Sequence, residues 1–440
     1  MTGARGAVIS YNRVNLINPP SAPGTLANRE GAAGMGVVYP SPEAFFYPPQ
    51  TLATVAATLR DAGYEVRAFD AVMEGMTADI SQADAIGIFV AYASLDNDLA
   101  FIRTLRKQTG AQLIAFGPAL RFVGEEVATR SPVDAVLVGD AEGFFAAALR
   151  CLAAEMDSQP RLLTPESIGA SGYDTQGFVE DLDTLPFPAW DLLPYGKYKF
   201  LTVLSSRGCP DGCAYCPYAA AQGHHFRTRS VENVLSELDW LSRRFHPVRL
   251  IFRDPVFAHD RERVIALCEG MLRRRLRLNW ECESRPEHFD AELLRLMRRA
   301  GCQWVKIGLE TTDVRLLQKI RRVGSPADAA AYLDHVAEVV KTCREIGLAC
   351  RLFVMACLPG QDVAMAQHTC DFVKEIKPTA LSVKAFERYP GVELDTGAEG
   401  DCGTQIAILN KAQDTLETHQ PAPTLIMRGK RWLARIRRGK

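Results

Sequence analysis

Two series of short apolar runs alternating with amphipathic stretches, parted by a segment rich in proline and aromatic residues, constrain this chain more than any other feature. The first series runs from residue 7: AVISYNRVNLI, TLATVAATLRDAG, YEVRAFD, DAIGIFV, LDNDLAFIRTLRKQTG, AQLIAFG, VDAVLVG and AEGFFAAALRCLAAE. Short strands of buried character separated by helices predict a parallel, doubly wound α/β sheet. Gly63 stands where the helix over TLATVAATLRDAG should stop. From 157 to 198 the periodicity disappears, and the prolines of DTLPFPAWDLLPYGKY suit neither a helix nor a central strand. A second series follows, FLTVL, VRLIF, LNWEC, WVKIGL, LACRLFVMA and TALSVKAF, with helical stretches between them. That order predicts a partial (β/α)6 barrel, whose catalytic groups gather at the strand C-termini. The expected organisation is a domain over 1–156, a linker over 157–198, the barrel over 199–390 and a tail over 391–440.

A chain of 440 residues exceeds what one hydrophobic core usually organises, in keeping with two domains. A net charge of -1 gives no electrostatic footprint of a nucleic-acid binder, so none is expected as a partner. Tyr11, Asn12 and Arg13 interrupt the N-terminus before an apolar targeting segment forms, and no uninterrupted run of about 18 apolar residues follows, so a cytoplasmic location is expected. The last 13 residues, RGKRWLARIRRGK, carry seven Lys or Arg. They read as a solvated tail, with membrane association through a basic amphipathic helix as the alternative.

The 12 cysteines argue for thiols and metal ligands rather than a disulfide framework, and their placement says more than their number. Only Cys151 precedes Cys209, Cys213 and Cys216, which fall within eight positions in SSRGCPDGCAYCPY, just past the first barrel strand. Three thiolates are one short of the set that a structural zinc or an all-cysteine cluster uses. An iron–sulfur cube held by three cysteines keeps one iron open to another ligand. Gly208 and Gly212 give the loop the backbone freedom to wrap such a group.

CxxxCxxC with Tyr215 before the third cysteine, after a strand and opening a helix, resembles the radical S-adenosylmethionine (SAM) superfamily. FRDPVF at 252–257, WECESRPE at 280–287, GLETT at 308–312 and FVMACLPG at 353–360 extend the resemblance over about 198–390. It implies a [4Fe-4S] cluster on Cys209, Cys213 and Cys216, with SAM chelating the open iron. Reductive cleavage to methionine and a 5'-deoxyadenosyl radical then supplies the chemistry, with electrons from a donor such as flavodoxin or ferredoxin. Tyr215, Asp254, Arg285 and Glu310 are the implied SAM contacts, Arg285 toward the carboxylate and Glu310 toward the amino or ribose groups. Two departures stand out. Related cobalamin-type enzymes often carry two aspartates where this chain has Asp254-Pro255, and a glycine where it has Cys357. Cys357 is expected to behave as a small buried apolar residue, His224 and His225 as bystanders, and Arg227 and Arg229 as structural residues.

The first series carries Asn18-Pro19-Pro20, Asp70, Ala91 to Ser94, Gly117-Pro118 and Gly139-Asp140-Ala141-Glu142 at predicted strand ends, where doubly wound sheets bind ligands, and Tyr47-Pro48-Pro49 before the first helix. In order and chemistry it resembles the cobalamin (B12)-binding domain of B12-dependent radical SAM proteins. The resemblance implies Asn18, Pro19, Ser94, Gly117, Pro118, Gly139 and Glu142 around the corrin. No DxHxxG motif occurs and the first histidine is His224, so the implied cobalt takes no histidine from this domain. Methylthiotransferases, which also join a flavodoxin-like domain to such a barrel, hold a second cluster on front-domain cysteines that this chain lacks. The implied function is a class B-like methyltransferase acting on a small-molecule or lipid substrate at an unactivated centre. The alternatives are a non-methylating enzyme of the same build, performing cyclisation, ring contraction or oxidation, and a cobalamin- or cluster-binding protein without turnover.

Overall fold

The computed structural model describes residues 11–42, 44–76, 78–154, 161–395 and 401–418. The basic segment at 428–440 lies outside them. The chain forms two compact units, Met1–Glu283 with Arg388–Glu393, and Ser284–Glu387 with Leu394–Lys440.

The first unit opens with a parallel sheet of strands β1 (Arg13–Asn18), β2 (Glu65–Asp70), β3 (Ala85–Phe89), β4 (Gln112–Phe116), β5 (Ala135–Leu137) and β6 (Arg161–Leu163), in the order β2-β1-β3-β4-β5-β6. Helices α1 (Gln50–Asp61), α2 (Leu95–Arg106), α3 (Leu120–Arg130) and α4 (Ala141–Ala154) connect or follow the strands. Every residue of β3, AIGIF, is buried, as a strand with helices on both faces requires. α1 is buried on nearly all sides, which explains why its sequence is apolar and small rather than amphipathic. The order reverses between β1 and β3, and such a switch opens a ligand crevice at the strand C-termini. The stretch expected to be a plain linker supplies the edge strand β6, and Ala189 N–H donates to Ala53 O of α1, fastening that stretch to the domain.

The same unit holds the first three barrel strands, β7 (Leu201–Val203), β8 (Leu250–Phe252) and β9 (Trp280–Ser284), with β8 paired in parallel to both neighbours. Helices α5 (Pro217–Gln222), α6 (Val231–Arg244) and α7 (Arg261–Arg273) belong here. In the second unit, β10 (Cys302–Glu310), β11 (Ala349–Ala356) and β12 (Ala380–Ala385) form a parallel sheet with β11 central. Its helices include α8 (Ala291–Arg299), α9 (Pro326–Glu345), α10 (Val363–Ile376) and α11 (Cys402–Thr418). α11 packs on α10 and β12, in the region read as tail. The barrel helices start where a short polar side chain satisfies an orphan N–H three residues on: Ser230 for α6, Asp260 for α7, Asp290 for α8, Ser325 for α9 and Asp362 for α10. Among the described residues no helix is long and apolar enough to cross a membrane.

Candidate functional site

Beneath the strand ends of the first sheet lies a chain of buried polar side chains. Asn18, the last residue of β1, donates from Nδ2 to Asp70 Oδ1 at 2.9 Å and accepts from Arg29 Nη1 at 3.0 Å. Arg29 also donates to Pro19 O at 2.6 Å and pairs with Asp98 at 2.5 Å, the two side chains being 1% and 0% exposed. Asp98 in turn accepts from Ser94 Oγ at 2.9 Å and Ala91 N at 3.2 Å. Asn18, Pro19 and Ser94, expected around a corrin, are thus tied into one lattice that fixes the ends of β1, β2 and β3. Arg29 and Asp98, which hold this lattice, were missed by sequence reasoning. The glycine-rich stretch just after Arg29, GAAGMG at 31–36, was the available hint of a backbone held close to something.

Burial pushes the Asp70 carboxyl up to about 6, although bonds from Tyr198, Asn18 and Val72 and the charge of Arg29 pull the other way. A raised carboxyl favours the folded state fully below its unfolded value and loses that contribution as pH rises through about 6. Asp70→Asn is therefore expected to be more stable than the parent at pH 8, by up to about 3 kcal/mol, and level with it near pH 4. Urea denaturation at the two pH values checks this, and identical pH profiles for the two proteins would refute it.

Over this lattice a cleft is lined by Gly117, Pro118, Gly139, Asp140, Ala141 and Glu142 from the strand-end loops, by Glu30 and Ala33, and by Leu204, Arg207, Ala221, Gln222 and Arg253 from the barrel half of the unit. Four of the expected corrin residues, Gly117, Pro118, Gly139 and Glu142, are brought together here. Gly117 has φ +139°, and a Cβ there would lie 2.5 Å from Val90 O, so only glycine lets the chain turn. Three buried ion pairs cross the cleft: Arg207 with Glu142 at 2.7 Å and with Asp140 at 3.3 Å, and Arg253 with Glu30 at 2.6 Å. Asp140 is further held by Arg121 at 3.2 Å and Arg227 at 3.5 Å. Those guanidiniums hold its carboxyl below the usual range despite burial.

Arg207 is also the residue before the cluster loop, in a two-strand ribbon that pairs Ser206–Arg207 with Arg227–Thr228. Gly208 follows at φ +81°, where a Cβ would fall 2.0 Å from His225 O. Cys209 is buried and Cys213 and Cys216 half-buried, none of them in a disulfide, and Cys216 N donates to Cys213 O at 3.2 Å. Burial, with Asp211 and Cys213 nearby, pushes the Cys209 thiol up to about 12. Among the described residues no three His, Cys, Asp or Glu side chains converge to hold a single metal ion. In a cube each of three thiolates takes a different iron. Asp254, expected to meet SAM, accepts from Ser205 N at 2.7 Å, Ser205 Oγ and Ser206 Oγ, pinning the segment that leads into the loop. Tyr215 is half-buried, His224 and His225 are exposed, and Arg229 is ion-paired to the buried Glu237.

In the second unit Arg285 and Glu310 stand in one charged group. Arg285 Nη2 donates to Glu287 Oε1 at 2.7 Å and to Arg322 O at 2.9 Å, while Arg322 Nη2 donates to Gly308 O at 2.8 Å, beside the buried Glu310. Glu310 sits at φ +63°, where the pairing of β10 with β11 shifts register between Gly308 and Glu310. An acidic side chain held in the left-handed region at a strand end is a strained feature of the kind functional sites retain. Cys357 is not the inert buried residue expected: it is half-buried, has φ +63°, and forms a disulfide with Cys402.

Residues 203–373 match the model of the Radical SAM superfamily. An uncharacterized methyltransferase of Pyrococcus horikoshii is 27% identical over 365 residues, covering 79% of this chain and 77% of its own. The hopanoid C-3 methylase of Methylococcus capsulatus is 24% identical over 365 residues, covering 78% of this chain and 67% of its own. In fold, the radical SAM methyltransferase TsrM of Kitasatospora setae, solved with tryptophan and a SAM analogue, matches with a TM-score of 0.66 at 16% identity, over 87% of this chain and 75% of its own. The cobalamin-dependent radical enzyme OxsB, solved with aqua-cobalamin and SAM, matches with a TM-score of 0.59 at 16% identity, over 93% of this chain and 56% of its own. Residues 203–373 are therefore a radical SAM domain, and the fold is that of a Rossmann-like α/β domain followed by that barrel.

Proposed function

We propose that this chain is a cobalamin-dependent radical SAM methyltransferase, with residues 1–156 as the corrin-binding domain and 199–390 as the catalytic barrel. The observation that carries the reading is the shared cleft. The strand-end loops at 117–118 and 139–142 and the approach to the cluster loop at 204–207 line one space, joined through Arg207. Ala33, Gly117, Pro118, Gly139 and Ala141 carry no bulky side chains, which suits the close approach of a ring, and Glu30, Glu142, Arg207 and Arg253 among them suit the amide side chains of a corrin. Three thiols without a fourth suit a [4Fe-4S] cluster that leaves one iron for SAM. When bound, these groups supply a radical generator and a methyl carrier.

The protein's own part is to hold and aim. Cys209, Cys213 and Cys216 bind iron. Asp254 fixes Ser205 and Ser206, and Arg207 fixes the next residue of the loop against Asp140 and Glu142. Arg285 and Glu310 are proposed to meet the SAM carboxylate and its amino or ribose groups, which their residue types suit. The names of the relatives support methylation, and the proposed substrate is a small molecule or lipid. The test is anaerobic reconstitution with iron, sulfide and cobalamin, then reduction with SAM present and chromatography of the products. Both S-adenosylhomocysteine and 5'-deoxyadenosine are expected. Deoxyadenosine alone would favour the non-methylating reading, and failure to retain corrin would overturn the assignment of 1–156.

A further inference from the structure

We infer that Cys357 and Cys402 form a reversible thiol–disulfide latch that fastens the start of α11 to the end of β11, at the rim of the barrel. The inference does not depend on the substrate or on cobalamin. Cys357 is the first residue past β11 and Cys402 the first of α11, with their Cα atoms 5.2 Å apart, inside the span a disulfide bridges. Both sulfurs belong to half-buried residues rather than to the sealed core. The contrast is Cys343 and Cys350, neighbours in the core at 1% exposure each, whose mutual contact and burial raise the Cys350 thiol well above its ordinary value. That pair is sealed from exchange, whereas the rim pair is not.

Two further observations set Cys357 apart. Its φ of +63° is a conformation that glycine adopts freely and other residues only under strain, yet the chain places a thiol there. The rim is also stitched without the disulfide: Cys357 N donates to Gln405 Oε1 at 2.9 Å, and Gln405 Nε2 donates to Gln361 O at 2.8 Å. Breaking the S–S bond therefore leaves α11 docked by hydrogen bonds and packing, loosened rather than unfolded. Exchange with a dithiol balances as follows. A thiolate of the reductant bonds to one sulfur, the S–S electron pair leaves on the other, and the second thiol of the reductant then bonds to the first reductant sulfur, releasing the remaining cysteine as a thiolate. Two cysteine thiols and one oxidised dithiol result.

The test uses the full cluster-loaded chain under anaerobic conditions, in glutathione poised oxidised or reduced. Alkylation, non-reducing digestion and mass spectrometry locate the link, and amide hydrogen exchange reports on residues 357, 404 and 405. In oxidised glutathione a peptide pair joining 357 to 402 is expected, with iron content unchanged. In reduced glutathione both cysteines should be alkylated, and exchange at the three amides should be about tenfold faster. Cys357→Gly, which relaxes φ without strain, and Cys402→Ser should show the fast exchange in either buffer. Absence of the linked peptide, a link that forms only as iron is lost, or equal exchange in both buffers would each overturn the latch.

Discussion

Cys213→Ala is expected to abolish SAM cleavage, a loss well beyond the about 10–100-fold that removing an outer-shell partner of a metal site costs. The reason is arithmetic in ligands: with three cysteines available and one iron meant for SAM, losing a thiolate leaves two ligands for a cube that needs three. The fold should survive, because Cys213 is half-buried on a loop and belongs to no strand or helix. Iron and sulfide per chain, the electron paramagnetic resonance spectrum after reduction, and deoxyadenosine yield are the three measurements. Deoxyadenosine formation within tenfold of the parent, with the expected loss of iron, would sink the assignment of the cluster to this loop.

The second large effect is on stability and falls on a residue far from the cysteines. Arg29→Met leaves the fully buried carboxylate of Asp98 with only Ser94 and Ala91 to answer it, and removes the donors that Asn18 and Pro19 accept. Breaking one side of a buried ion pair costs about 3–5 kcal/mol, much of it the penalty for the charge left behind. The double variant Arg29→Met with Asp98→Leu should regain most of that loss, since it removes the stranded charge as well. Urea titrations of the parent, the single and the double variant decide the matter. If the double variant is no better than the single, the cost lies in the lost bonds to Asn18 and Pro19 rather than in the charge. Because those residues close β1, the single variant should also retain less corrin after reconstitution.

Much of this was written locally. The alternation of buried runs and amphipathic stretches gave the two α/β parts in their order, because strand and helix periods are set within a few residues. The caps Ser230, Asp260, Asp290, Ser325 and Asp362 mark helix starts for the same local reason. The cysteine trio was legible because three thiols at that spacing have few other uses. Strand β6 was missed because three residues among prolines carry no period of their own, and pairing with β5 alone makes them a strand.

The charged lattice was beyond reach for a different reason. Arg29 and Asp98 lie 69 positions apart, Glu30 and Arg253 lie 223 apart, and in the sequence each reads as an ordinary surface charge. Only the folded chain shows them buried and paired, and with that why Asp70 keeps its proton to about pH 6 and why Asp254 faces Ser205 rather than outward. Cys357 and Cys402 belong to the same class, 45 positions apart with nothing in their spacing to pair them. What the sequence determined by itself was the kind of layers and the cysteine trio proposed as iron ligands, both properties of short segments. Which charges became a scaffold and which thiols met was decided by tertiary structure, because burial and pairing are properties of neighbours in space.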